Sequence, residues 1–348
     1  MKYFLMNKDV EVFEVDYECG YFTSATFDIK NMEVAPLLFF NEEENHLNLL
    51  NKWFQHRLSP QSRSSVGRQK AIENCCVSMT DPYWFKPYSS DLTWEAVSPH
   101  KNDFRSNGYN PDYCTNGHQI KEWHIQENER YLYKYAYTGA RQEPDNEYVA
   151  SAIMDILKIP HVHYDAVYPA KKVPYSVCKC FTSEEIEFVP AWYLYKRESD
   201  YDSRYKILLK AIDKWEIPTT EADINNMVLI DSLIANKNRH WGNFGFVRNN
   251  TTGKFLGLAP LFDESESLWH ETPQSMILYS EILPHKPFRS DYHYDIHWVK
   301  KITADLTKLD KTALESIFEK THIEPVRSQT IIQAILRNLE LIQKAYDA

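Results

Sequence analysis

The sequence predicts an α+β chain, β-rich in its first part and mainly helical in its second, and three observations lead there. Short apolar, β-branched runs broken by turn residues dominate the opening, whereas three- and four-residue apolar spacings dominate from about Tyr201 onward. The 348 residues are 43% hydrophobic and 25% charged, an ordinary globular composition with enough apolar sequence for a substantial core. That length suits one large two-lobed unit or two domains, and it excludes a disordered or fibrous chain.

The elements follow in order. Tyr3 to Met6 and Val10 to Val15, around Asn7, Lys8 and Asp9, read as a β-hairpin. Leu47, Leu49, Leu50, Trp53 and Phe54 recur near helical spacing, which predicts a helix from about Glu43 to Arg57, and the polar stretch Ser59 to Ser65 reads as a loop or a boundary within the N-terminal part. Residues 80–118, rich in Pro, Ser, Asp, Asn and Tyr, read as an irregular but packed connection. Tyr131 to Tyr135 is an aromatic strand candidate interrupted by Lys134. Pro144 sits where a helix can begin without losing a needed donor, with Val149, Ile153, Ile156 and Leu157 on one face and Glu147 in the first turn. His161 to Val167 and Ser176 to Phe181 are further strands. Helices then run from about Tyr201 to Trp215 and from Glu221 to Ala235, and a last one starts at Pro325.

Composition narrows the function. Lys plus Arg at 39 against Asp plus Glu at 49 gives a net charge of −10 with no basic block, so sequence-independent binding to nucleic acid or to anionic membranes is disfavoured. The longest apolar run, Val34 to Phe40, is far short of a bilayer span, and Tyr3 to Met6 is too short for a signal-peptide core. A cytoplasmic location is the expectation. Cys19, Cys75, Cys76, Cys114, Cys178 and Cys180 show no repeated CxxC spacing and read as buried reduced thiols. His161 and His163 alternate at a strand entry, a weak metal signal.

Glycine is scarce, nine in all, yet Gly242, Gly245, Gly253 and Gly257 fall within sixteen residues. That stretch reads Asn236, Lys237, Asn238, Arg239, His240, Trp241, Gly242, Asn243, Phe244, Gly245, Phe246, and Asp263 follows after Pro260, Leu261 and Phe262. Asn243 and Asp263 carry the oxygen ligands that Mg²⁺ prefers, and they can converge if Asn249 to Gly253 form a hairpin turn. Upstream, Lys134 on a strand and Glu147 on a helix are spaced for an ion pair that aims the ammonium at a phosphate. Taken singly each has an ordinary explanation: a solvated strand lysine, a favourable helix-dipole contact, a turn Asp, a structural His240. Their order raises the functional reading: strand Lys, helix Glu, a polar N-R-H-x-x-N loop, then a hairpin closing on Asp.

That order resembles the HipA-like serine/threonine kinases, bacterial toxins related to protein and phosphoinositide kinases. The resemblance is strongest over Leu229 to Phe246 and Ala259 to Leu268, where the family's loop reads D-R-H-x-x-N-F and Ala259 to Asp263 supplies the metal-binding Asp. Gln142 to Glu147, Ser176 to Phe181, Val189 to Ala191 and Met79 to Pro87 match further stretches. The resemblance implies a two-lobed protein-kinase-like fold with three parts: 1–110, a β-containing subdomain; 111–184, a nucleotide-binding N-lobe; and 185–348, a helical C-lobe with the catalytic loop. It implies ATP and Mg²⁺ as cofactors, with Lys134 on the phosphates, Glu147 orienting it, Asn243 and Asp263 on the metal, and His240 bracing the loop. Backbone atoms near Lys179 and Phe181 would hold adenine at the interlobe hinge. Thr115 and Gly117 fall in a phosphate-covering loop, Thr115 being the candidate for autophosphorylation. The implied partners are a protein substrate and a cognate antitoxin, without direct nucleic-acid binding and without a membrane.

One position departs from the family. Asn238 stands where the relatives carry the catalytic Asp, and an amide cannot take the proton of an attacking hydroxyl. The chain is therefore expected to bind MgATP and turn it over poorly. Either it is a natural pseudokinase, a nucleotide-binding regulatory module, or Asp has been deliberately exchanged for Asn. The otherwise intact nucleotide site favours the exchange. A third class, a metal-dependent nuclease, is suggested by the nearby His and Asn and opposed by the charge of −10.

Overall fold

The computed structural model describes residues 1–27, 33–40, 44–195, 203–280, 288 and 301–347. The chain forms two compact units, one of residues 1–133, 180–189 and 248–254, the other of residues 134–179, 190–247 and 255–348. Among the described residues no helix is long and apolar enough to cross a membrane.

In the first unit, β1 (Lys2–Asn7), β2 (Val10–Glu18), β3 (Tyr21–Phe27) and β4 (Tyr83–Pro87) form an antiparallel sheet in the order β3-β2-β1-β4. The predicted hairpin is β1 and β2, turning through Lys8 in a left-handed conformation. Helix α1 (His46–Arg57) is capped by the Asn45 side chain, which accepts from the Leu47 and Asn48 amides. The predicted start at Glu43 lies outside the described residues. Trp53 and Phe54 of α1 are fully buried, and Phe54 meets the rings of Phe22 and Phe85 at 5.2 and 6.1 Å between centroids.

Two expectations fail in this unit. Residues 80–118 are not merely irregular, because Tyr83 to Pro87 pairs along all of its length with β1. Pro82 and Pro87 mask it in sequence, since proline argues against a central strand and here sits at the ends of an edge strand. Ser59 to Ser65 is also not a plain loop: a 3₁₀ turn (Pro60–Arg63) leads into helix α2 (Ser65–Glu73), whose cap is the Ser64 hydroxyl. Gly67 inside α2 hides the helix from a propensity reading, and packing is why it is there. A Cβ at Gly67 would lie 2.5 Å from the Gln61 carbonyl oxygen and 2.7 Å from the Ser62 Cα, both backbone atoms. Gly67→Ala is therefore expected to cost roughly 1–3 kcal/mol in denaturant unfolding despite alanine's better helix propensity. Gly139→Ala, where a Cβ meets nothing within 4 Å, is expected to be neutral.

Short helices α3 (Trp94–Val97) and α4 (Phe104–Asn107) precede β5 (Lys121–Gln126) and β6 (Glu129–Tyr135). Glu127 and Asn128 both have positive φ, the two-residue turn that suits the twist of a hairpin. The strand β9 (Ile186–Pro190) brings Glu187 to Arg248 at 2.5 Å. Burial pushes the Glu187 carboxyl up to about 7, against the pull of that guanidinium.

The second unit holds the end of β6, with Lys134 and Tyr135, and helix α5 (Glu143–Leu157), with Pro144 in its first turn as expected. Glu147 is the fifth helical residue, one position beyond the predicted first turn. β7 (Tyr164–Val167) and β8 (Tyr175–Lys179) pair antiparallel, and the Ala136 amide donates to the Pro174 carbonyl at the entrance to β8. Helix α6 (Arg204–Lys214) follows; the predicted start at Tyr201 is outside the described residues. Helix α7 (Glu221–Leu233) opens with a reciprocal Thr220 and Asp223 capping box. Then come β10 (Gly245–Asn249), β11 (Phe255–Leu258), α8 (Lys311–Phe318) and the long α9 (Pro325–Asp347). Asn338 of α9 donates to the Ser232 and Leu233 carbonyls, which α7 leaves without helical partners at its end. No disulfide joins the six cysteines, and Cys19 is exposed rather than buried.

Candidate active site

The site is built within the second unit from three strands, one helix and two loops. Lys134 points inward from the end of β6 and is 2% exposed. Its ammonium donates to Glu147 of α5 and to Asp263 at 2.6 Å, and it lies 5.4 Å from the Tyr164 ring centroid. A lysine in this place is costly unless paired, so the two carboxylates explain how it stays charged. Burial works against the ammonium, and the charges of Asp263 and Glu147 outweigh it and hold its pKa above the usual lysine range. Glu147 is fully buried, and burial raises its pKa although Lys134 and the Ser176 hydroxyl, donated from β8, both favour its charged form. The ordinary reading of a solvated lysine and an exposed helix-dipole contact does not fit this burial.

Asp263 has a φ of 67°, a left-handed conformation that costs a non-glycine residue energy and is found where surroundings enforce it. The restraints on either side are specific. The Asp263 amide faces the Tyr164 hydroxyl at 3.4 Å, Leu261 pairs with residues 160–162, and the Asn146 side chain of α5 donates to the Ser265 carbonyl at 2.6 Å. Gln142 donates likewise to the Leu268 carbonyl. The residues of the Gln142 to Glu147 stretch thus hold both the lysine and the segment that follows Asp263.

The loop after α7 turns through Ala235, in a left-handed conformation, and is laced by side-chain amides. Asn236 donates to Asp231 at 2.9 Å and accepts from the Asn238 amide at 3.0 Å. The His240 amide donates to the Asn238 carbonyl at 2.8 Å, and His240 Nδ1 accepts from the Gly242 amide. Asn243 Nδ2 donates to the Asn238 carbonyl at 3.1 Å, which leaves its Oδ1 as the oxygen presented elsewhere. With the Asp263 carboxylate this makes a pair of hard oxygen donors of the kind Mg²⁺ takes, so these residues suit that ion.

Arg239 joins the two loops, a role the sequence reading did not give it. Its fully buried guanidinium contacts Asp231 at 3.0 Å and Glu264 at 2.7 Å, and it donates to the Asn243 and Phe262 carbonyls at 2.8 and 2.6 Å. Asn243 and Asp263 are therefore linked through Arg239 rather than through the hairpin alone. Burial lifts the Asp231 carboxyl above its usual range and the Glu264 carboxyl to about 7, both opposed by Arg239.

No family model and no curated protein matches the chain. Solved structures do: HipA of Shewanella oneidensis MR-1, from a complex with HipB and its operator DNA, matches over 99% of both chains with a TM-score of 0.56 at 10% identity. The fold is that of the HipA-like kinases. The Helicobacter pylori proinflammatory kinase CtkA also matches, with a TM-score of 0.51 at 20% identity, over 65% of this chain and 93% of its own.

Of the residues matched to HipA-like kinase motifs, Lys134, Glu147 and Asp263 are in direct contact, and Asn238, His240 and Asn243 share one hydrogen-bonded loop. Lys179, exposed, ends β8 in the same unit. Phe181, Thr115 and Gly117 belong to the first unit. Phe181 packs edge-on to Phe188. The Thr115 hydroxyl donates to the Pro111 carbonyl at 2.9 Å and accepts from the Trp123 indole at 2.8 Å, so it is engaged and buried in this arrangement. Gly117 has a φ of 132°, and a Cβ there would strike Lys121 Nζ. Ser176, Tyr164, Arg239 and Glu264 are the contributors that sequence reasoning missed. A fully buried Arg between two carboxylates carries no signature in one sequence, although Ser176, Arg239 and Glu264 did lie inside the matched stretches.

Proposed function

We propose that the chain is a HipA-like serine/threonine protein kinase that binds MgATP and, with Asn238 at the base position, transfers the γ-phosphoryl poorly to a protein hydroxyl. The observation that carries this reading is the buried Lys134 ammonium shared between Glu147 and Asp263, with Asn243 oriented on the adjoining loop. ATP supplies the phosphoryl group and Mg²⁺ the charge that neutralises it. Lys134 holds phosphate oxygens, Glu147 and Ser176 aim Lys134, Asn243 and Asp263 hold the ion, and His240 keeps the loop in register. Backbone groups at Lys179 take the adenine. Thr115 becomes a phosphate acceptor only if its bonds to Pro111 and Trp123 are released.

The HipA neighbour's complex with HipB and operator DNA supports a toxin role with a cognate antitoxin as partner. The net charge of −10 favours contact with DNA through such a partner rather than by this chain directly. Lys134→Ala and Asp263→Ala are each expected to weaken MgATP binding at least tenfold, about 1.4 kcal/mol, in equilibrium titrations of variants whose thermal melts show them folded. Unchanged affinity in both would remove the site. A second reading, a nucleotide-gated binding module without transfer, is favoured by Asn238 itself.

A further inference from the structure

We propose that Asp155, His161 and His163 form a binding site for a divalent transition metal of the zinc class, separate from the nucleotide site. One ligand atom from each residue lies within 4.8 Å of the others, all three within the second unit. His161 Nδ1 is 2.7 Å from the Ile159 carbonyl oxygen, a contact that only a protonated nitrogen makes. In the neutral ring Nε2 then carries the lone pair, and the ring is oriented by a backbone carbonyl in the way metal-ligating histidines are. That Nε2 faces Asp155 Oδ1 at 3.7 Å, and His163 Nδ1 faces Asp155 Oδ2 at 3.6 Å. Neither distance is a hydrogen bond. Both suit ligands of a common ion: two donors each about 2.1 Å from a tetrahedral centre stand about 3.4 Å apart. Two imidazoles and a carboxylate select borderline metals over Mg²⁺ or Ca²⁺, and water completes the coordination.

The position of Asp155 points the same way. It lies in the last turn of α5, at the negative end of the helix dipole, where a carboxylate is unfavourable and where α5 carries no basic residue in its last turn. A bound cation reverses that penalty. The Ser151 hydroxyl, 3.1 Å from His161 Nε2, is the group that holds the ring in the metal-free arrangement. The ion would tie the end of α5 to residues 160–163, whose backbone pairs with Leu261, two residues before Asp263. It would stiffen the segments that carry Glu147 and Asp263 without touching either side chain. The site shares no residue with the nucleotide reading, and its test does not depend on catalysis.

Metal-stripped full-length chain carrying Cys19→Ser, which removes the exposed thiol, is titrated with Zn²⁺ against a chromophoric chelator. One equivalent is expected to bind, with a rise in melting temperature. Asp155→Asn and His163→Ala, both at exposed positions and so able to fold, are each expected to weaken binding on the order of 100-fold and to abolish the rise. Asp263→Ala is expected to leave Zn²⁺ binding unchanged. The proposal is overturned by the absence of saturable binding tighter than ~10 μM. It is equally overturned by binding that survives both ligand variants, or by binding that Asp263→Ala removes.

Discussion

Replacing Asn238 by Asp is expected to raise phosphoryl transfer from ATP by on the order of 10²- to 10⁴-fold, the usual worth of a positioned general base. The structure makes this a clean substitution. The backbone of residue 238 is fixed by the Asn236 side chain, the His240 amide and the Asn243 side chain, none of which bonds the group to be changed. The exchange is isosteric and swaps an amide, which cannot accept a proton from a hydroxyl, for a carboxylate that can. Lys134, Glu147, Asn243 and Asp263 stay as they are, so MgATP affinity should move little while transfer appears. The readout is labelled phosphate passed to the protein itself and to proteins of a bacterial extract, with Asn238→Asp combined with Lys134→Ala as the control. Labelling that appears with the first change and vanishes with the second supports the kinase. Tight MgATP binding without labelling moves the reading to the nucleotide-gated module, and Mg²⁺-dependent cleavage of plasmid DNA would revive the nuclease.

The sequence showed the local grammar of this fold and not its long-range closure. The β1–β2 hairpin, α5 and α9 were legible because their apolar periods, turn residues and opening prolines act within a dozen residues. β4 and α2 were not, because Pro82, Pro87 and Gly67 each argue locally against the element that tertiary contact enforces. The site divides in the same way. Lys134, Glu147, Asn243 and Asp263 could be singled out by residue type and order. That Glu147 is buried, that Ser176 aims it and that Asp263 is held in a left-handed conformation depend on contacts across 29 to 129 positions. No spacing rule reaches that far.

Arg239 is where that long-range closure can be tested most severely. Arg239→Met is expected to destabilise the protein by about 3–5 kcal/mol, because it leaves buried charge without its partner. Asp231 and Glu264 lose the guanidinium between them, and the Asn243 and Phe262 carbonyls lose their donor. The deficit has a predicted pH dependence. In the parent, burial places the folded pKa of Glu264 at about 7, above its unfolded 4.5, so the folded state binds more protons across that window. Its contribution to stability is thus fully present below the unfolded value and is lost as pH rises towards the folded one. Removing Arg239 raises both carboxyls further, since the charge that opposes their burial is gone. The cost of Arg239→Met should therefore be greatest at about pH 8 and should shrink on acidification towards about pH 5, where both groups can be carried neutral. Arg239→Lys keeps a charge but not the fork that reaches two carboxylates and two carbonyls at once, and should recover part of the loss. Denaturant unfolding of the three proteins at the two pH values measures this directly. In the Asn238→Asp background, Arg239→Met should also abolish transfer, because Arg239 holds the loop bearing residue 238 to the carbonyl preceding Asp263. Loss of transfer with unchanged stability would contradict the role assigned to Arg239 and place it in the chemistry rather than beneath it.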